Sequence, residues 1–98
     1  MSRTQKQEIL PEATVDHDRE KYHIEVELPG VSKEKIELEF GEQGFCVKAS
    51  RDDVVFNACY SLAHTVDPKK ADAKFENGLL KVTVPFKQPI AGTKVQVK

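Results

Sequence analysis

Residues 73–85, AKFENGLLKVTVP, decide the fold. Two short runs of alternating side chains flank Asn77-Gly78. Such a pair is among the strongest hairpin signals, because the tight turn that matches strand twist needs two residues that tolerate positive φ. A two-residue loop sets Phe75 opposite Leu80, Ala73 opposite Val82 and Ala71 opposite Val84, so one face of the hairpin is apolar. Lys74 then meets Lys81 on the other face, a like-charge pair best left in water. Nothing in the stretch is equipped for chemistry. What it offers is backbone and apolar surface.

The same period of two runs outward along the chain. Tyr22, Ile24, Val26 and Leu28 alternate with His23, Glu25 and Glu27, the pattern of a half-buried strand that Pro29-Gly30 stops. Ser32-Lys33-Glu34-Lys35 provides an N-cap and one helical turn. Ile36, Leu38 and Phe40 alternate with Glu37 and Glu39, and after a loop at Gly41 to Gly44 the residues Phe45, Val47 and Ala49 alternate with Cys46, Lys48 and Ser50. A symmetric hairpin pairs residues whose numbers have a constant sum, and a wrong sum sets apolar against polar. Around Gly41 to Gly44, Phe40 meets Phe45, Leu38 meets Val47 and Glu37 meets Lys48; around Asp52-Asp53, Ala49 meets Phe56, Val47 meets Ala58 and Phe45 meets Tyr60. Both close. The three strands form a meander whose apolar face, Ile36, Leu38, Phe40, Phe45, Val47, Phe56, Ala58, Tyr60 and Leu62, requires a second layer. Asp67-Pro68-Lys69-Lys70 places a capping residue before proline at the first helical position and predicts another single turn. Short strands joined by turns, without a long helix, predict an all-β antiparallel two-sheet sandwich.

The chain of 98 residues is one domain's worth, with 15 basic and 16 acidic side chains and a formal net charge of −1. The absence of a basic stripe with interleaved aromatics argues against nucleic acid and anionic lipid as partners. No apolar run approaches the ~20 residues needed to cross a bilayer, and the polar start MSRTQKQE does not resemble a secretory signal, so a soluble cytoplasmic protein is expected. Residues 1–12 are expected to form a short flexible arm in which Ile9 and Leu10 are the side chains able to dock, residues 13–87 the domain, and residues 88–98 a C-terminal extension.

Over residues 13–87 the chain resembles the small heat-shock proteins, that is, the α-crystallin domain, an immunoglobulin-like sandwich. The resemblance is strongest at VELPGVSKEKIELEF and at Ala73-Lys74-Phe75-Glu76-Asn77-Gly78-Leu79-Leu80, which fits the A-x-x-x-n-G-x-L hallmark, preceded by Val66-Asp67 and followed by a strand ending in Pro85. Val95-Gln96-Val97 resembles the family's C-terminal I-x-I element, which plugs a groove on a neighbouring subunit. An ordinary final strand within the same chain reads those two valines equally well. The resemblance implies an ATP-independent holdase that binds partly unfolded clients, needs no cofactor, and self-associates through its tail. It also implies a groove lined by Ile36, Leu38, Phe40, Ala73 and Phe75. The chain departs from the family at Phe56 to Ala63, where the usual arginine is missing and Ala63 stands for proline. It departs again at Asp52-Asp53, where only two residues replace the long loop that exchanges a strand in many bacterial and archaeal dimers. A short member with a truncated dimerisation loop is therefore expected to be a monomer, or a dimer by another edge, with weaker chaperoning. The alternative function is a monomeric interaction module resembling the CS-domain co-chaperone adaptors, which share the sandwich.

Other candidate residues have plain explanations. Cys46 and Cys59 fall opposite each other at a non-hydrogen-bonded site, where Cα atoms approach to about 4.5 Å and a cross-strand disulfide can form. A reducing cytosol favours two thiols there, with Glu39 beside Cys46 opposing a thiolate. His17, His23 and His64 lack the spacing of a metal motif, with each other or with the cysteines, and read as exposed strand-edge side chains. Glu25, Glu27, Glu37 and Glu39 alternate on solvated faces, where acid–base catalysis has no pocket to tune it. No phosphate loop and no nucleophile with a base is present, and an enzyme is not expected.

Overall fold

A computed structural model of the chain describes residues 6–89 and 91–98. Eight strands follow in order: β1 (Gln7–Ile9), β2 (Ala13–His17), β3 (Lys21–Glu27), β4 (Ile36–Gly41), β5 (Gly44–Arg51), β6 (Val54–Ser61), β7 (Asp72–Glu76) and β8 (Leu79–Pro85). They form two four-stranded sheets, ordered β1-β6-β5-β4 and β2-β3-β8-β7, and the chain crosses between them after β1, β3 and β6. Every pairing is antiparallel except β1 on β6.

The hairpin registers follow the constant sums: Phe40 faces Phe45, Ala49 faces Phe56, and Phe75 faces Leu80. The ladder of the last hairpin begins at Asp72 opposite Thr83, so the expected Ala71–Val84 pair lies outside it. There Ala71 closes a 3-10 turn at Pro68–Lys70, which Asp67 caps through its side chain by accepting from the Lys69 N–H at 3.2 Å. The corresponding turn at Lys33–Lys35 forms without a side-chain bond from Ser32, so that residue does not cap as expected. All three hairpins close with two-residue loops, and two of them need positive φ, Asp52 at 44° in one and Asn77 at 52° with Gly78 at 78° in the other.

The alternating apolar residues of both sheets meet in one layer. Val26, Leu28, Val47, Val66 and Val84 are wholly excluded from solvent, and among the described residues no polar or charged one is buried.

Two strands were not expected. β1 lies within the segment read as a flexible arm, where it pairs Gln7, Glu8 and Ile9 with Val54, Val55 and Phe56. The Gln7 N–H donates to the Asp53 carbonyl at 2.7 Å, the Asn57 amide donates to Glu8 at 3.1 Å, and Ile9 packs on the core while Leu10 stays exposed. β2 completes the other sheet, because the turn after it is built by Asp18. Its carboxylate accepts from the Glu20 and Lys21 N–H groups at 2.7 and 2.8 Å and lies 2.9 Å from His23 Nε2.

The His23 hydrogen bond first, then those two N–H groups, hold the Asp18 carboxyl far below its ordinary value of 3.8. A depressed carboxyl stabilises the fold above its unfolded value, and that contribution is lost as pH falls below 3.8 toward the folded value. In His23→Ala, the Asp18 titration followed by NMR is expected to move up and acid unfolding to begin at a higher pH. An unchanged titration would assign the depression to the backbone donors alone. At the β7–β8 turn, a Cβ on Gly78 would lie 3.3 Å from the Pro29 Cα at a φ that side chains rarely adopt. Gly78→Val is expected to cost about 1–3 kcal/mol in urea unfolding. Gly41→Ala, with nothing within 4 Å of the new carbon, should stay within about 0.5 kcal/mol of the parent.

Candidate functional site

A sandwich of two open sheets ends in edge strands, and on one side of this molecule those edges are β4 and β7. The Cα atoms of Cys46 and Cys59 are 4.0 Å apart, which marks theirs as a non-hydrogen-bonded pair. Alternation from there directs the backbone groups of Glu37 and Glu39 to β5 and those of Leu38 and Phe40 to the open edge. In the other sheet the two-residue turn closes on Glu76 and Leu79, so Lys74 bonds to β8 while the backbone of Ala73 and Phe75 faces outward. Leu38, Ala73 and Phe75 therefore present side chains to the gap between the sheets and unpaired backbone to solvent at the same position.

The gap is a groove of about 420 Å³ lined by Ile36, Leu38, Ala73, Phe75 and Leu80, with Lys33, Lys74 and Glu76 at its rim. Ile36, Leu38 and Phe75 are half-buried and Ala73 is exposed. The structure thus brings together four of the five expected lining residues. Phe40 is not among them. Its ring stacks on that of its cross-strand partner Phe45 at 5.1 Å, and Phe45 stacks on Tyr60 at 4.9 Å, so the side chain joins an aromatic ladder running away from β7. Burial at the end of this ladder pushes the Tyr60 hydroxyl up and leaves its oxygen without a partner. Leu80 and the rim residues Lys33, Lys74 and Glu76 were missed. The register that sets Leu80 opposite Phe75 is the signal that places it on the groove floor.

The remaining candidates disperse. Residues 91–98 form no strand, and Val95 and Val97 are 83% and 92% exposed, so the final strand within the same chain is not formed. Cys46 and Cys59 pair across β5 and β6 as the register requires, but as a disulfide rather than the two thiols expected. The close approach at a non-hydrogen-bonded pair brings the sulfurs within bonding reach. His17 and His64 lie edge to face at 5.1 Å and both rings contact Phe86, while His23 holds Asp18. No group of three or more candidate ligands for a metal occurs among the described residues. Glu25, Glu27, Glu37 and Glu39 are all exposed. A hydrogen bond with Glu12, and then the Glu12 charge, push the Glu27 carboxyl up, but on an open surface that shelters no substrate. No helix among the described residues is long and apolar enough to cross a membrane.

The geometry is that of a two-sheet sandwich with an apolar groove between two open sheet edges. Residues 14–98 match the sequence profile of the Hsp20/alpha crystallin family. The chain belongs to that family of small heat-shock chaperones, which are not enzymes and which in general bind client proteins and oligomerise. It is 23% identical over 113 residues to small heat shock protein C2 of Rickettsia felis, covering 99% of this chain and 73% of that one. Against the 18 kDa heat shock protein of Clostridium acetobutylicum it is 30% identical over 90 residues, covering 74% of this chain and 60% of the relative. The fold is that of heat shock protein 16.0 from Schizosaccharomyces pombe, with a TM-score of 0.76 at 23% identity, covering 92% of this chain and 97% of that one.

Proposed function

We propose that this chain is an ATP-independent holdase that takes extended apolar segments into the groove between β4 and β7. The observation that carries this reading is the coincidence, at Leu38, Ala73 and Phe75, of inward apolar side chains with outward unpaired backbone. An added strand gains main-chain hydrogen bonds from the edge and inserts alternate side chains into the gap, so it is recognised by its pattern rather than by its sequence. Partly unfolded proteins present such segments, whereas folded ones bury them.

The same groove suits the chain's own tail on a second copy. Val95 and Val97 are two residues apart, so in an extended segment both point one way. Each contributes about 1.5–3 kcal/mol on burial before the cost of ordering the tail, which suits a reversible latch. Lys94 and Lys98 flank the valines, and Glu37 and Glu39 project from the outer face of β4. The two-residue turn at Asp52-Asp53 keeps β6 in its own sheet, so association through the tail or another edge replaces strand exchange at that hairpin.

Thermal aggregation of a model client, followed by light scattering without nucleotide, is expected to be suppressed by the full chain. Leu38→Glu or Phe75→Glu should suppress it several-fold less, since a charge forced into the apolar gap loses its hydration without gaining a partner. Absence of suppression at several-fold molar excess overturns the holdase reading. Ending the chain at Lys87 is expected to reduce assembly size, and an unchanged size overturns the latch.

A further inference from the structure

We propose that Cys46–Cys59 is a reversible redox site, a cross-strand disulfide that a dithiol reductant opens in the folded protein. Both cysteines lie on the outer face of their sheet and both are exposed, so the bond is not part of the core that it spans. The surface on either side of it is sunken. Towards the strand ends a depression lined by Glu39, Gly41, Gln43, Gly44 and Ser61 adjoins both cysteines, and Gly41, with nothing within 4 Å of the place a Cβ would take, leaves it open. Towards the other end a second depression, lined by Glu37, Glu39, Lys48 and Asn57, adjoins Cys46.

Exchange requires a thiolate to approach one sulfur in line with the bond while the other departs. The line through the bond runs from β5 to β6. On the β5 side it meets Glu39, the cross-strand partner of Cys46, whose carboxylate repels an incoming thiolate. On the β6 side no cross-strand carboxylate faces Cys59 among the described residues, because β1 pairs only as far as Ile9 opposite Phe56 and its Glu8 is held by the Asn57 amide, two residues before Cys59. The geometry therefore directs attack to Cys59, with the Cys46 sulfur leaving. The reductant's first sulfur bonds to the Cys59 sulfur as the protein's own bond breaks. Its second thiolate then displaces Cys59, forming the reductant's disulfide. The protein gains two electrons and two protons and the dithiol loses them, so the step balances. The departing Cys46 thiolate forms beside Glu39, and that negative charge slows the opening of the bond.

The bond clamps β6 to β5, and β6 in turn carries β1. Reduction therefore loosens one edge of a sheet without touching the packed layer beneath it.

The test uses the full chain in dithiothreitol redox buffers, counting free thiols by alkylation and mass, natively and in denaturant, for the parent and for Glu39→Gln. Expected are a bond that forms in the oxidised buffer and opens in the native state within about tenfold of its denatured rate, several-fold faster in Glu39→Gln, with a lower Tm once reduced. Two free thiols in the oxidised buffer overturn the proposal. So does a bond that opens only in denaturant, at a rate Glu39→Gln leaves unchanged.

Discussion

Contact between the two inner faces is the interaction on which the rest of the structure depends. All of the fully buried side chains are apolar, and the hydrogen bonds that tie one sheet to the other lie at the margin of that contact, where the Tyr22 hydroxyl accepts from the His64 N–H at 2.9 Å and the Val66 N–H donates to the Glu42 carbonyl at 2.8 Å. Hydrophobic burial is non-directional and does not by itself distinguish one register from another. What does so is period two, since a slip of one residue carries a whole strand's apolar set into water. The turns therefore carry the specificity that the core lacks. Asn77-Gly78 and Asp52-Asp53 each allow one spacing, and the strands on either side follow.

That division explains what could be read from residues alone. Strands β3 to β6 and β8 announce themselves because each has one sheltered face, which writes alternation into the chain, while β7, exposed except at Phe75, is read through its turn and its partner β8. The hairpin registers follow from counting, including the opposition of Cys46 and Cys59. β1 and β2 leave almost no such trace. β1 is three residues long, and β2 carries Val15 at 42% exposure on its inward side, so neither is under pressure to alternate strongly. Their clearest signal is polar, the capping Asp18 that ends β2. Phe40 illustrates another limit, since alternation says which face a side chain takes and not which neighbour claims it. Two aromatic rings within reach outweighed the gap. Alternation sets the two cysteines opposite each other and does not say whether they stay thiols or join, as they do in this structure.

Open edges are the unavoidable remainder of two sheets that do not close into a barrel, and they template aggregation unless something blunts them. On the β1 and β2 side the two edge strands are joined through Leu10 to Glu12, and the Glu27 N–H is taken by the Glu12 carbonyl at 2.8 Å. On the β4 and β7 side nothing comparable intervenes among the described residues. There the outer faces carry Glu37 and Glu39 on one strand and Asp72, Lys74 and Glu76 on the other.

Those charges have a selective consequence. A second copy approaching β4 edge to edge would set Glu37 and Glu39 against their equivalents, an arrangement that like charge disfavours. A segment that is apolar on one side and basic or neutral on the other meets no such penalty and still gains the backbone bonds. Like charge thus disfavours β4 pairing with its own copy, whereas the alternation of valines and lysines in the proposed tail latch would meet no such repulsion. A groove built this way needs no reactive side chain, because the discrimination lies in where unpaired backbone, apolar gap and surface charge coincide. That is why the stretch from Ala73 to Pro85 holds so little chemistry and so much geometry.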